Sequence, residues 1–233
     1  MEVTDAIRNR KSTRAFLDKP VSEEVISDIL ECARWAPSGV NSQPWHVAIV
    51  TGETKLKVGK ALAKLRTDGA KARQDYEYYP TQIEEPYIAR KRACGHALYN
   101  ALGIKRNDIE KRKAQWIKNY HGFGSPVALL FFIDSTLEKG SWVDTGMFIQ
   151  NVMLAARGFG LETCPQAALA EYPDAIRKIL NIHDSKKLIC GMALGYADYD
   201  DPSYQYRTER EPCLLYTSPS PRDATLSRMP SSA

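Results

Sequence analysis

Two polar segments decide how this chain is interpreted: Arg10-Lys-Ser-Thr-Arg14, a basic cluster with hydroxyls, and Ala36-Pro-Ser-Gly-Val-Asn-Ser-Gln-Pro-Trp45, a stiff polar turn that ends in an aromatic residue. Guanidinium groups and hydroxyls satisfy phosphate oxygens, and each charge-assisted hydrogen bond is worth roughly 1.5–3 kcal/mol. Together the segments predict a site for a phosphorylated, flat ligand with polar edges. Taken alone, the first is more typical of a solvated basic face, and the second is equally typical of an ordinary helix-to-strand connection.

The region between the two segments predicts one amphipathic helix over residues 22–35. Ser22 is a good N-cap, and Glu23 and Glu24 suit the first turn. Apolar residues then recur at helical spacing until Pro37 and Gly39 end the helix. A single helix could bring both segments to one pocket.

The remaining pattern predicts a mixed α/β or α+β layer fold in one domain over residues 1–212. Helices are expected at 3–8, 53–66, 142–159 and 172–180, with a helical region at 86–120 that Gly103 interrupts. Strands are expected at 45–51, 127–133 and 188–196. Residues 67–87 are polar and aromatic around Asp75–Pro80, and this suggests a loop or lid.

Composition excludes several classes of protein. The 233 residues are 43% hydrophobic and 26% charged, which is ordinary for a globular protein, and the formal charge of +4 is too weak to predict nucleic-acid binding. No apolar run approaches the roughly 20 residues needed to span a membrane. The five cysteines form no CxxC and the four histidines have no metal-ligand spacing, so we expect a cytoplasmic protein without a metal site.

Two later segments could join the same pocket. Gly160–Ala168 follows the long helix, and its backbone groups could approach a planar ligand. Its Cys164 is more typical of a structural cysteine than of a nucleophile. Tyr204–Arg210 adds Arg207 and Arg210, and either could close onto the same phosphate or remain a surface cation.

The last 21 residues, 213–233, have no helix or strand period and are rich in Ser and Pro. They resemble the translation of a DNA sequencing adapter, from Cys213-Leu-Leu-Tyr-Thr-Ser-Pro-Ser-Pro-Arg-Asp223 to Ser227-Arg-Met-Pro-Ser-Ser-Ala233. We expect this tail to be disordered, to replace the natural C-terminus and to have no part in the function.

The order and spacing of these segments resemble the FMN-dependent nitroreductase family from residue 1 to about Glu211. The resemblance is carried by residues 10–16 and 36–45, by residues 144–160 with Asn151, by residues 161–167, by Gly195-Tyr196 and by residues 207–210. Residues 85–92 and 119–126 are similar to a subgroup that reduces nitrobenzoate and other nitroaromatic compounds.

The resemblance implies an α+β fold with a central, mainly antiparallel sheet flanked by helices, assembled as an intertwined homodimer with FMN at the interface. It implies that one subunit holds the phosphate through Arg10, Lys11 and Ser12, joined by Arg207 or Arg210, while Arg14 reaches the ribityl chain or the N1/O2 edge. The partner would supply Pro37, Ser38, Gly39 and Asn41, with Gln43 nearby. Pro165, Gln166 and Ala167 would pass near flavin N5.

The resemblance also implies the reaction. NADH or NADPH would deliver hydride to flavin N5, and a nitroaromatic or quinone-like acceptor would then take its place, in a ping-pong cycle in which the flavin carries the chemistry. Two alternatives stay open from sequence. One is another reaction on the same scaffold, such as reductive dehalogenation or flavin fragmentation, and the other is a non-catalytic protein that binds a flavin or an anion.

Overall fold

The computed structural model of this chain describes residues 1–211. The predicted adapter-derived tail, residues 213–233, lies outside the described residues. The described chain folds into one four-stranded antiparallel sheet with helices on both faces, which confirms the predicted α+β class.

The sheet has the strand order β1-β2-β4-β3. Its strands are β1 (His46–Thr51), β2 (Val127–Asp134), β3 (Glu162–Gln166) and β4 (Lys186–Gly195). The helices are α1 (Val3–Asn9), α2 (Glu23–Ala33), α3 (Gly52–Thr67), α4 (Tyr87–Ala101), α5 (Ile109–Ile117), α6 (Lys139–Gly158), α7 (Pro173–Leu180) and α8 (Pro202–Gln205). Short 3₁₀ turns occupy Gly39–Asn41, Gly122–Gly124 and Ala167–Ala170.

Strand β2 lies in the centre of the core and is buried on both faces. Its alternate side chains Leu129 and Phe131 pack with α2 and α6, whereas Leu130 and Phe132 pack with α3 and α7. This follows from the period of two in a strand, which sends successive side chains to opposite faces. The unbroken apolar run that predicted the strand therefore predicts its central position as well.

The helix predictions agree with the structure to within a few residues. Ser22 caps α2 as expected, because its Oγ accepts a hydrogen bond from the N–H of Val25 at 3.3 Å. The long helix α6 begins three residues before the predicted start, and it buries side chains along much of its length, including Phe148, Val152 and Ala156. The region 86–120 divides into α4 and α5 on either side of Gly103, which has φ +64°.

Strand β3 was missed by the sequence analysis, which expected three strands. Glu162–Gln166 pairs with β4 along its whole length, in register from Glu162 opposite Gly195 to Gln166 opposite Gly191. The segment has only five residues and includes Glu162, Thr163 and Pro165, so it shows no apolar alternation. Its position at the edge of the sheet explains why it tolerates a proline.

The first part of the predicted lid is an anchored strap. Asp75 accepts two hydrogen bonds from the guanidinium of Arg177 at 2.7 and 3.0 Å, and one from the N–H of Leu188 at 2.7 Å. The hydroxyl of Tyr76 donates to the carbonyl of Ile189 at 2.8 Å. Residues 75 and 76 are therefore tied to α7 and β4, and this part of the segment is an anchored loop, which is one of the two structures predicted for it.

Candidate functional site

The basic cluster lies along the outer edge of the sheet, next to β3. The N–H of Thr13 donates to the carbonyl of Thr163 at 3.0 Å, and Ser12 forms an isolated parallel bridge with Thr163. Thr13 is buried, whereas Arg10 and Arg14 are half-buried. Because successive side chains of extended backbone point to opposite sides, fixing Thr13 inward directs its neighbours Ser12 and Arg14 outward.

A cavity of about 100 Å³ lies over this cluster and includes the segment that follows α8. We call it the basic cradle, because its lining holds five cations and no acidic residue: Arg10, Lys11, Arg14, Arg207 and Arg210. Ser12, Cys94, Tyr206 and Thr208 complete the lining. The structure thus brings the N-terminal cluster and the predicted C-terminal arginines to one place.

The electrostatics of the basic cradle favour an anion. Burial lowers the pKa of Arg10, and the nearby Arg210 and Arg207 lower it further, against an opposing effect of Glu162. Burial also lowers the pKa of Lys11. A bound anion would favour the charged form of both side chains and offset their mutual repulsion. Five cations, with the hydroxyls of Ser12 and Thr208 beside them, suit the oxygens of a phosphate group.

Two tyrosines hold cations of the cradle in place, and the sequence analysis did not identify either of them. The hydroxyl of Tyr206 accepts a hydrogen bond from Nη1 of Arg14 at 2.5 Å, and the guanidinium lies 5.7 Å from the ring centroid. Nζ of Lys11 donates to the carbonyl of Tyr204 and lies 3.3 Å from the centroid of its ring. Tyrosines in a polar segment give no signal of this role, because it depends on contacts between residues about 190 positions apart.

A buried ion pair lies beneath the cradle and was also missed. Glu162 is 4% exposed, and its Oε1 accepts a hydrogen bond from Arg157 at the end of α6. Its other oxygen, Oε2, has no hydrogen-bond partner. Burial raises the pKa of Glu162, while Arg157, Lys11 and Arg10 act in the opposite direction. The only signal in the sequence is an isolated acid within the Gly160–Ala168 segment.

The end of β3 carries the predicted residues Pro165, Gln166 and Ala167 to the same edge of the sheet. Gln166 is buried, and its Nε2 donates to the carbonyl of Asn119 at 2.7 Å while its Oε1 has no partner. Pro165 and Ala167 are half-buried. On its outer side, β3 is bridged at Thr163 by Ser12 and Thr13, whereas none of the described strands pairs there with residues 165–167.

The second predicted segment forms a strained, exposed loop. Val40, Asn41 and Gln43 have φ values of +47°, +57° and +47°, which are uncommon outside glycine and costly for a β-branched residue such as Val40. The loop is held by the N–H of Gln43, which donates to Oγ of Ser38 at 3.0 Å. Pro37 is exposed, between the buried Ala36 and the half-buried Ser38. Strained backbone of this kind clusters at functional sites.

The loop and the basic cradle lie at opposite ends of α6. The N–H of Gly39 donates to Oδ2 of Asp144 at 3.1 Å, near the start of this helix. The cradle lies over the Arg157–Glu162 pair at the end of the helix. Thirteen residues at 1.5 Å per residue separate Asp144 from Arg157 by about 20 Å. Within one chain the structure does not bring the two predicted segments together.

Cys164 has the properties of a structural residue rather than a nucleophile. It is 2% exposed, and burial raises its pKa to about 11, against the opposing effects of Arg14 and Ser12. The thiolate is therefore scarce at neutral pH. Within residues 1–211, no group of three or more His, Cys, Asp or Glu side chains could hold a metal ion. The same residues contain no helix long and apolar enough to cross a membrane.

Comparison with known sequences finds relatives that are named as reductases of nitro compounds. Residues 7–196 match the model of the nitroreductase family. The chain is 38% identical over 204 residues to nitrobenzene nitroreductase of Ectopseudomonas oleovorans, an alignment that covers 87% of this chain and 90% of the relative. It is also 38% identical over 211 residues to 4-nitrobenzoate reductase of Pseudomonas putida, covering 91% and 92% of the two chains.

Solved structures share the fold at similar identity. The FMN and NADPH-dependent nitroreductase NfnB from Sphigopyxis sp. strain HMH superposes with a TM-score of 0.89 at 37% identity, over 91% of this chain and 96% of that one. The FMN-dependent nitroreductase NfnB from Mycobacterium smegmatis, solved in complex with NADPH, gives 0.88 at 30% identity, over 93% and 97%. With the basic cradle beside β3 and the resemblance carried by residues 10–16 and 36–45, these matches show that the chain belongs to the nitroreductase family.

Proposed function

We propose that this protein is an FMN-dependent oxidoreductase that uses NAD(P)H to reduce nitroaromatic compounds. The observation that carries the proposal is the basic cradle, in which five cations and no acidic side chain meet at the edge of β3. Its relatives named nitrobenzene nitroreductase and 4-nitrobenzoate reductase support the substrate class. The two NfnB nitroreductases support the cofactor and the hydride donor, because one is FMN and NADPH-dependent and the other is FMN-dependent and was solved in complex with NADPH.

The residues of the cradle fit the phosphate of FMN. Arg10, Lys11 and Ser12 would hold the phosphate, with Arg207 or Arg210 closing over it. The backbone hydrogen bond from Thr13 to Thr163 anchors the segment that carries Arg10, Lys11 and Ser12. Burial, and then Arg210, lower the pKa of Arg10, and a phosphate bound beside it would favour the charged form of its guanidinium.

Arg14 and the end of β3 would face the isoalloxazine ring. FMN supplies the hydride-transfer chemistry when it is bound, and the protein supplies orientation and charge. The hydroxyl of Tyr206 accepts a hydrogen bond from Nη1 of Arg14 at 2.5 Å. This contact would hold the guanidinium charge where the reduced ring would carry negative charge. Pro165 and Gln166 would offer backbone groups on the outer side of β3, beyond the bridge of Ser12 and Thr13 to Thr163. The chain needs no nucleophile for this role, consistent with the raised pKa of Cys164.

We also propose a homodimer in which each flavin site takes its cradle from one chain and its loop, residues 37–43, from the partner. The separation of about 20 Å along α6 supports this arrangement, because one chain places the two segments far apart. Large apolar side chains are exposed on α1, α6 and the loop, and this supports an interface in which the partner chain covers them. These side chains are Val3, Ile7, Val40 and Val143. Val40 is fully exposed in the single chain despite being apolar.

We place this activity in the cytoplasm, where the four described cysteines would stay reduced. Cys32 is exposed and Cys94 is half-buried, so both would meet the surrounding redox conditions directly. The fifth cysteine, Cys213, lies outside the described residues.

A visible spectrum of the purified protein tests the proposed function. With FMN bound, the protein should be yellow, and anaerobic addition of NADPH or NADH should bleach the flavin bands. Addition of a nitroaromatic acid should then restore them, with formation of the reduced product. A protein that binds FMN but is not bleached by either nucleotide would be a non-catalytic flavin binder. A protein that binds no FMN would contradict the assignment of the cradle.

A further inference from the structure

A second cavity in the described part of the chain lies away from the basic cradle and shares no residue with it. It has a volume of about 870 Å³ and opens between the end of α3, the end of α4 and one face of α5. The α5 face is formed by Ile109, Arg112, Lys113 and Trp116, which follow the spacing of neighbours on one side of a helix. A cavity of this volume is within the range of small-molecule sites.

The cavity carries an excess of positive charge that the nearby acids do not neutralise. Arg66, Arg106, Arg112 and Lys113 line it, with Glu110 as the one acidic lining residue. Nζ of Lys113 lies 2.9 Å from Oε1 of Glu110, so this pair is matched.

The neighbouring acids have other partners. Asp68 pairs with Lys64 at 2.7 Å, and Asp108 accepts from the N–H of Lys105 at 2.9 Å. Among residues 1–211, no carboxylate pairs with the guanidinium of Arg66, Arg106 or Arg112. The three groups are therefore available to an anion from outside the described chain.

Two aromatic rings position these cations at the walls of the cavity. The guanidinium of Arg112 lies 4.7 Å from the ring centroid of Tyr99, and its Nη1 donates to the carbonyl of Arg106 at 3.3 Å. The guanidinium of Arg66 lies 5.7 Å from the centroid of Trp116. Trp116 is 42% exposed and Ile109 is 61% exposed, so apolar surface lies beside the unpaired charges. The cavity thus combines flat apolar contacts with guanidinium groups that match a carboxylate or phosphate.

We propose that this cavity is a second ligand site, separate from the flavin site, that binds a small aromatic anion: a flat ring bearing a carboxylate or a phosphate. The ring would lie against Trp116 and Tyr99, and the anionic group would pair with Arg66 and Arg112. Two sources share this chemistry, namely simple aromatic acids and nucleoside monophosphates. The site does not depend on the flavin assignment, because none of its residues lines the basic cradle.

Calorimetric titration of the FMN-loaded protein tests the proposal with 1-naphthoate, with adenosine monophosphate, and with 1-naphthylmethanol as the neutral control. We expect saturable binding of at least one anion and binding of the alcohol at least about tenfold weaker. The double variant Arg66→Gln, Arg112→Gln should bind the anion at least about tenfold more weakly than the wild type. Lys57→Gln combined with Lys60→Gln removes the same charge from exposed positions of α3 outside the cavity and should leave binding unchanged.

The fluorescence of Trp116 provides a second readout, which remains usable if the double arginine variant folds poorly. Bound 1-naphthoate or nucleotide should change the tryptophan emission, and this change should disappear in Trp116→Phe. The visible flavin spectrum should stay constant during the titration. Absence of binding by both anions, equal binding of the alcohol, or a shifted flavin spectrum would each overturn the proposal. The anion that binds more tightly identifies the source.

Discussion

The strap at Asp75 gives the sharpest test of the described structure, because replacing Asp75 by Ala removes several buried contacts at once. The substitution deletes two charge-assisted hydrogen bonds to Arg177 and the acceptor for the N–H of Leu188 in β4. The side chains of Asp75 and Arg177 are 14% and 9% exposed. The guanidinium would therefore keep much of its burial while losing its best partner.

The expected cost follows from the contacts that remain. Removing one partner of a buried ion pair costs about 3–5 kcal/mol. Arg177 would still donate to Asp174 at 2.6 Å and to the carbonyl of Lys186 at 3.0 Å, so the lower end, about 3 kcal/mol, applies here. Asp174 is 78% exposed, and the matched Asp174→Ala variant should cost less than about 1 kcal/mol.

Urea unfolding at fixed protein concentration measures both variants. Limited trypsin digestion adds a local readout, because cleavage after the exposed Arg73 should accelerate in Asp75→Ala once the strap is released. The reasoning would be refuted if the free energy of unfolding of Asp75→Ala stayed within about 1 kcal/mol of the wild type. Equal effects of Asp75→Ala and Asp174→Ala would refute it as well, since Asp75 also accepts a hydrogen bond from Leu188 of β4, whereas Asp174 is an exposed residue of α7 itself.

Four further predictions concern the site and the dimer interface. Glu162→Gln removes a buried negative charge beneath the cradle, so FMN should bind about fivefold more tightly while riboflavin, which lacks the phosphate, is unaffected in a fluorescence titration. Burial raises the pKa of Glu162, so its ionisation opposes folding: wild-type stability should fall as the pH rises from the ordinary glutamate range through this raised pKa, and unfolding of Glu162→Gln should lack that fall. Arg14→Ala should lower the flavin midpoint potential by about 30 mV or more in a spectroscopic redox titration, and an unchanged potential would count against its role. Val40→Asp should raise the dimer dissociation constant at least about tenfold by analytical ultracentrifugation, whereas an unaltered constant would place Val40 outside the interface.

Local sequence signals predicted the elements whose structure depends on local physics. The apolar run at 127–133 predicted a central strand because both of its faces are buried, and Ser22 predicted the start of α2 because capping is a local hydrogen bond. The arginines after β4 were predicted as site candidates, and the structure places Arg207 and Arg210 in the cradle lining.

Features that depend on distant partners could not be predicted in the same way. Strand β3 exists because Glu162–Gln166 pairs with β4, and its own five residues carry no strand pattern. The strap depends on Asp75 meeting Arg177 across 102 positions, and its polar, aromatic composition is that of an ordinary loop. Tyr206 acquires its role from Arg14, near the opposite end of the chain.

The central claim is that each flavin site takes its cradle from one chain and its loop from the partner. It can be tested by complementation between two inactive variants. The cradle variant carries Arg10→Ala and Ser12→Ala. The loop variant carries Ser38→Ala and Asn41→Ala. The first substitution also removes the hydroxyl that accepts the hydrogen bond from the N–H of Gln43. With different affinity tags on the two chains, mixed dimers can be purified after subunit exchange.

The direct measurement is the FMN content and NADPH-dependent nitroarene reduction of the purified mixed dimer. In a two-fold symmetric dimer with shared sites, both defects fall in one site and the other site is intact, so about half of the wild-type flavin content and activity should return. If each chain built its own site, the mixed dimer would contain two defective sites and recover nothing, and that result would contradict the account.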